Sequence, residues 1–199
     1  MKKLKYLLIS LTAILIIMVC FSCEIEGEHT ITIPTKREVK PIKDIIPQVL
    51  INQVVIHQGY DPPDITGGYL ISPYKLTYST LPHDSIGLSW GEKGIKFTKQ
   101  SYENTIAYES NHGGERVNCP IAYIQGSGNN FTVYFRETKV SSSGSPVTTA
   151  AVISGTKRTD GISDLSYSYI VITPAPGSIP QNSIRKFIDG DYLATNYKW

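Results

Sequence analysis

Short apolar or alternating runs recur from about residue 48 to the C-terminus, separated by turns rich in Gly, Asn and Ser. Period-two alternation is typical of β-strands that bury one face. In the run from 131 to 139, Phe131, Val133 and Phe135 fall on one face and the intervening residues on the other. No stretch after residue 23 has the sustained 3.6-residue period and caps of an amphipathic helix. The pattern therefore predicts an all-β domain.

The pattern predicts about nine or ten strands in a single antiparallel domain, either a β-sandwich or a small β-barrel, between which periodicity does not choose. Pro73 predicts a bend, bulge or edge position. Two hairpins are predicted, one across Gly91–Gly94 and one ending at Asp160-Gly161. The predicted segments are 49–57, 68–79, 86–90, 95–97, 105–109, 121–125, 131–139, 147–154, 162–172 and 183–188, the last of which could instead be a short helix.

Residues 1–22 have the layout of an export signal. A basic head that contains Lys2, Lys3 and Lys5 precedes an apolar run from Tyr6 to Val19. That run is shorter than the ~20 residues that a membrane-spanning helix needs, and no stop-transfer flank follows it. We therefore expect a cleaved signal peptide.

The junction places a small residue, Ser22, directly before Cys23, which resembles the lipobox of bacterial lipoproteins. Cys20 is the competing position, but the β-branched Val19 precedes it. The resemblance implies cleavage before Cys23, lipidation of its thiol, and the membrane as a partner through that lipid; stable anchoring takes more than one acyl chain. The alternative is ordinary cleavage that leaves Cys23 as an unmodified thiol.

The residues after Cys23 are acidic and then polar. Glu24, Glu26 and Glu28 resemble the signal that sends Bacteroidota lipoproteins to the outer face of the outer membrane, although a solvated tether is also often acidic. Spaced prolines continue to Pro47. We therefore expect a lipidated, flexible tether over 23–47, a β domain over 48–199, and display on the cell exterior.

Charge and cysteine content narrow the function. Three of the 19 basic residues leave with the signal. The mature chain then has 16 basic and 17 acidic residues, and its net charge is −1. This balance gives no electrostatic footprint for nucleic acid. Cys119 is the remaining cysteine of the β domain, so no disulfide forms within it, and we expect a buried thiol rather than an intermolecular pair.

No catalytic, metal or cofactor pattern stands out, so we expect a protein that is not an enzyme. The four histidines lack metal-ligand spacing, and Gly126-Ser127-Gly128 lacks the frame of a nucleophile elbow. Asp189-Gly190-Asp191 does not match a calcium loop and is explained by turn chemistry. His112 and Cys119 could meet as a Cys–His pair, but no third group accompanies them.

Aromatic residues are the strongest functional lead. Exposed Tyr and Trp beside Asn and Ser are typical of sugar- or protein-binding faces, although tyrosines also simply cover sheet faces. The candidate ligand-binding residues are Trp90, Tyr74, Tyr78 and Tyr134.

Asp84-Ser85-Ile86 also resembles the O-glycosylation acceptor of Bacteroidota, which makes Ser85 a candidate modification site.

Four stretches, 67–79, 123–135, 151–172 and 187–195, resemble an uncharacterised family of Bacteroidota lipoproteins. The family has no established activity, so the resemblance implies only the location of a lipoprotein and the all-β fold. The sequence favours a non-enzymatic module that binds a glycan or a protein. The alternatives are a structural or assembly subunit of an outer-membrane complex and an envelope hydrolase.

Overall fold

The computed structural model describes residues 39–140 and 144–199. Two short helices precede eleven strands, and no helix in this part of the chain is long and apolar enough to cross a bilayer. The elements are α1 (Ile42–Ile45), α2 (Gln48–Ile51), β1 (Tyr60–Asp61), β2 (Gly67–Ile71), β3 (Tyr74–Ser79), β4 (Lys93–Thr98), β5 (Thr105–His112), β6 (Glu115–Ser127), β7 (Asn130–Val140), β8 (Pro146–Lys157), β9 (Gly161–Thr173), β10 (Ile184–Asp189) and β11 (Leu193–Asn196).

The sheet closes on itself through β11. This strand pairs with β2 on one edge and with the first residues of β9 on the other, which completes a ring in the order β11-β2-β4-β5-β6-β7-β8-β9. Gly161 permits the closure, because a Cβ there would lie 2.2 Å from the carbonyl oxygen of Ala194. The fold is a closed eight-stranded antiparallel barrel with three additional strands. The all-β prediction is confirmed, with a barrel rather than a sandwich.

The additional strands lie outside this ring. The later residues of β9 pair with β10, which pairs in turn with β3, while β1 runs parallel to β6. β2 and β3 are consecutive in sequence but occupy distant places in the sheet, and the chain leaves the ring at Ser72–Pro73 between them. The bend predicted at Pro73 is therefore confirmed.

The barrel interior is an apolar core. Phe131, Val133 and Phe135 point into it, as the alternation predicts. Their outward neighbour Tyr134 is also fully buried, because residues 39–51 cover the outside of β7, β8 and β9. Ile46 and Leu50 supply the apolar side of this cover.

The folded domain begins earlier in the sequence than the predicted boundary at residue 48, because the cover is part of it. Residues 39–47 fall in the predicted tether, yet the Tyr134 hydroxyl donates to the carbonyl of Lys40, and Arg136 Nε donates to the carbonyl of Ile45 at 2.6 Å. The folded domain therefore begins before residue 48. The polar residues and spaced prolines of this segment did not reveal its contacts, which use the apolar side chain of Ile46 as well as main-chain carbonyls.

Two predicted strands do not form. The segment 49–57 contains α2 and irregular chain; Pro47 precedes α2, and Leu50 faces the barrel. The segment 86–90 forms no hairpin with β4, which pairs with β2 and β5. Instead, this segment satisfies the free edge of β3, where Trp90 N donates to the carbonyl of Tyr74 at 2.8 Å. Strands β1 and β11, of two and four residues, were not predicted.

Candidate functional site

A cavity of about 460 Å³ opens at one mouth of the barrel, where the Gly113-Gly114 turn joins β5 to β6. Small-molecule sites in proteins commonly span about 300–1,000 Å³, and an eight-stranded barrel is just wide enough to hold one small ligand. Strands β3 and β10 extend the sheet beside this mouth, and the segment before β4 adds a further wall.

Five aromatic rings form one side of the cavity: Tyr74, Trp90, Tyr167, Tyr169 and Phe187. Phe187 lies at their centre, with its ring centroid 4.1 Å from that of Tyr74 and 5.1 Å from that of Trp90. Register explains the grouping, because Phe187 on β10 pairs directly with Tyr167 on β9. The stacked rings give the cavity a rigid apolar wall.

Lys93 is the first buried charge in the cavity. It begins β4, points inward like Ile95 and Phe97, and is only 7% exposed. Its ammonium lies 4.8 Å from the ring centroid of Tyr167 and donates to Ser110 Oγ at 3.3 Å. Burial lowers the pKa of Lys93 to about 8. The lysine therefore remains mostly protonated at neutral pH, held by an aromatic face and a hydroxyl.

Glu137 is the second buried charge. It continues the inward alternation of β7 and is 8% exposed. Thr149 Oγ1 donates to Glu137 Oε1 at 3.1 Å, whereas Oε2 has no hydrogen-bond partner among the residues that the structure describes. Burial raises the pKa of Glu137, against the opposing effects of Lys93 and the Thr149 hydrogen bond. A buried carboxyl oxygen without a partner is unfavourable unless a ligand or water completes its hydrogen bonding.

The charges at the rim are paired. Lys139 Nζ lies 2.8 Å from Glu115 Oε2. Arg185 donates to both oxygens of Asp84, from Nε at 2.7 Å and from NH2 at 2.8 Å. These hydrogen bonds from Arg185 lower the pKa of Asp84. No ion pair of this kind joins Lys93 to Glu137 among the described residues.

The structure brings together two of the four predicted aromatic residues. Tyr74 and Trp90 both line the cavity. Tyr78 is exposed and does not line it, and Tyr134 is fully buried beneath the N-terminal cover. Alternation alone would place Tyr74 and Tyr78 on the same face of β3, but the register shifts opposite Lys186 and Phe187 of β10, and only Tyr74 is buried.

Sequence reasoning missed the polar centre of the site, Lys93 and Glu137, although a signal was present. Both continue an inward apolar alternation: Lys93 precedes Ile95 and Phe97, and Glu137 follows Val133 and Phe135. A charged residue at an inward position is unfavourable unless it is paired or functional. That criterion identifies both side chains.

Of the other candidate residues, Ser85 and Cys119 do not line the cavity, whereas His112 does. Ser85 is exposed, while the Asp84 carboxylate beside it is engaged by Arg185. Cys119 is buried, its thiol donates to the carbonyl of Ile121 at 3.3 Å, and burial raises its pKa. His112 Nε2 is instead 2.8 Å from the carbonyl of Trp90, so the Cys–His pair does not form. Cys23 lies outside the described residues.

A groove of about 840 Å³ lies on the outer face of β4, β5 and β6. Trp199 lines it and packs on Gly94, where a Cβ would come within 3.0 Å of Trp199 Cζ3. The charged residues Glu92 and Arg116 of this groove are exposed to solvent. Their desolvation is therefore incomplete, in contrast to that of Lys93 and Glu137.

No protein-family model, curated protein or solved structure matches this chain.

Proposed function

We propose that this protein is a lipid-anchored protein of the bacterial outer membrane that faces the cell exterior and binds a glycan in the mouth of its barrel. The observation that carries the binding proposal is the pairing of a rigid aromatic wall with two buried, incompletely satisfied polar side chains, Lys93 and Glu137.

Sugars match this arrangement chemically. The C–H faces of a pyranose ring pack against aromatic rings, and its hydroxyls both donate and accept hydrogen bonds. The wall formed around Phe187 offers the first kind of contact. Glu137 Oε2 and the Lys93 ammonium offer the second. A ligand hydroxyl at Glu137 Oε2 would relieve the desolvation of that atom.

A glycan array probed with the full-length chain in detergent tests the binding. We expect one or more sugars to bind, and Trp90→Ala to weaken the affinity for them about tenfold through loss of ring contact. Tyr78→Ala is the matched control, because Tyr78 is an exposed aromatic residue outside the cavity. An empty array would contradict the proposal. If a pull-down then captured an envelope complex, the assembly-subunit alternative would be favoured instead.

Lipid anchoring and surface display are tested separately from sugar binding. Intact cells that carry the wild type or Cys23→Ala are treated with protease and with antibody. Lipid anchoring predicts that the variant is lost from the membrane fraction, and surface display predicts that the wild type is cleaved and labelled on intact cells. A wild-type protein that is lipidated but shielded would place the barrel in the periplasm.

A further inference from the structure

The cations around the cavity differ in their partners, and this difference bears on the chemistry of the ligand. Two of its three cations have carboxylate partners: Lys139 has Glu115, and Arg185 has Asp84. Lys93 has a hydroxyl and two aromatic faces instead. Aromatic faces attract a cation, but they do not neutralise its charge.

Glu137 does not supply the missing counter-charge directly. Thr149 donates a hydrogen bond to one carboxyl oxygen of Glu137, and no hydrogen bond joins the other oxygen to Lys93. Burial raises the pKa of Glu137, against the opposing effects of Lys93 and of the hydrogen bond from Thr149. When it is protonated, Glu137 presents an O–H donor and does not repel an anion in the cavity.

We propose that the cavity selects a sugar residue that carries a carboxylate, an acidic monosaccharide of the uronic-acid type, whose carboxylate pairs with Lys93. This inference rests on the proposed binding of a glycan in the cavity and assigns the class of that glycan.

The geometry orients such a ligand. Lys93 lies deep in the mouth, at the start of β4, and its ammonium is placed against the ring of Tyr167. A sugar that packs against the aromatic wall and directs its carboxylate inward would reach this ammonium, and Glu137 would hydrogen-bond a neighbouring oxygen. A charge-assisted hydrogen bond to a buried ammonium is stronger than one between neutral groups.

The test compares matched ligands. Methyl glycosides of several hexoses are titrated by calorimetry against the full-length chain in detergent, each beside the glycoside of its own uronic acid. We expect at least one uronic acid to bind about tenfold more tightly than its neutral partner. In Lys93→Met we expect the two members of that pair to bind within about twofold of each other.

The failures of the two proposals are distinguishable. Equal or weaker binding of every uronic acid, with the neutral sugars bound, overturns the acidic-sugar inference and leaves the glycan proposal standing. No binding of any sugar overturns both. A Lys93→Met variant that keeps the full preference for the acid also overturns the role of Lys93, provided that its thermal unfolding is as cooperative as that of wild type.

Glu137→Gln provides a second readout, because glutamine retains hydrogen-bonding groups and carries no charge. We expect the affinity for the acidic sugar to change by less than about threefold. A rise of about tenfold or more would show that Glu137 is ionised in the free protein and repels the ligand carboxylate, which would contradict its proposed role as a hydrogen-bond partner of the bound sugar.

Discussion

The Arg185 guanidinium holds the Asp84 carboxylate through two hydrogen bonds, of 2.7 and 2.8 Å, between positions 101 residues apart in the chain. The two side chains are only 13% and 11% exposed. The pair joins the segment after β3 to β10, and it places the Arg185 guanidinium 4.7 Å from the ring centroid of Trp90. It therefore helps to fix the position of Trp90 in the aromatic wall.

Asp84→Asn should destabilise the protein, because it leaves the Arg185 charge poorly solvated and without its counter-ion. We expect a loss of about 2 kcal/mol in the free energy of unfolding, less than for a fully enclosed pair. Urea denaturation measures the change. Asp160→Asn, at the solvent-exposed Arg158–Asp160 pair, is the matched control and should have little effect. Equal effects from the two variants would contradict the structural role of the Asp84–Arg185 pair.

Lys93→Met should stabilise the protein at neutral pH by about 2 kcal/mol, because it removes a buried ammonium that has no carboxylate partner. The charged form of Lys93 destabilises the folded wild type, since folding lowers the pKa of this lysine from 10.5 to about 8. Above pH 10.5 Lys93 is neutral in both the folded and the unfolded state, so it does not destabilise the protein. The destabilisation grows as the pH falls and is complete below about 8. The stability gap between variant and wild type should close between these pH values.

Chemical denaturation at a series of pH values measures that gap, and the subtraction cancels the titration of the tyrosines. Lys96→Met is the control for the loss of a lysine on the same strand, because Lys96 faces outward toward Trp199. We expect it to change stability by less than about 0.5 kcal/mol. A Lys93→Met protein that is less stable than wild type at pH 7 would show that the contacts of the Lys93 ammonium outweigh its desolvation, which would contradict this prediction.

Asp189→Asn should make stability less sensitive to pH. Burial, together with the hydrogen bond to Asp191, raises the pKa of Asp189 from 3.8 to about 7. At this site the folded state therefore binds more protons than the unfolded state, so the contribution of Asp189 to stability falls as the pH rises from about 4 to about 7. Asparagine mimics the protonated form, and we expect the variant to be more stable at pH 8, on the order of 1–3 kcal/mol.

The midpoint of thermal unfolding, followed by circular dichroism from pH 4 to pH 8, measures this effect. Asp164→Asn is a suitable control, because Asp164 is an exposed acid on β9. If the difference between Asp189→Asn and wild type does not grow from pH 4 to pH 8, or if the two variants have the same profile, the account of Asp189 is wrong.

Leu50→Ala should destabilise the barrel even though Leu50 lies in the N-terminal cover. Its side chain is fully buried against the outside of the sheet, so we expect a loss of about 2–5 kcal/mol in the free energy of unfolding. Its neighbour Val49 is 50% exposed, and Val49→Ala should change stability by less than about 0.5 kcal/mol. A small effect of Leu50→Ala would mean that the cover contributes little to the stability of the domain.

The interior of the barrel was largely predictable from local pattern. The long strands alternate between inward apolar and outward polar residues, and the turn between β8 and β9 contains the Asp-Gly pair that is typical of hairpins. The predicted hairpin at Asp160-Gly161 joins β8 to β9, and Phe131, Val133 and Phe135 point inward. The closure was not predictable. It depends on β11, a strand of four residues whose pairing with β9 and β2 is entirely long-range.

The site was predictable only in part, for a related reason. Tyr74 and Trp90 were selected as aromatic residues, but their meeting with Phe187 depends on β10 pairing with both β3 and β9. Tyr134 had the same local signature as an exposed aromatic residue. It was buried by a distant segment that resembles a tether. Sequence alternation identifies the face of a strand, but it does not reveal what covers that face.

The location of sugar binding is the central claim, and tryptophan fluorescence tests it most directly. The chain has two tryptophans, Trp90 in the cavity and Trp199 in the outer groove. In Trp199→Phe, a bound sugar should produce a saturable change in the emission of Trp90, whereas in Trp90→Phe the emission of Trp199 should not respond. The opposite pattern, with Trp199 responsive and Trp90 silent, would place the ligand in the outer groove and contradict the cavity as the binding site.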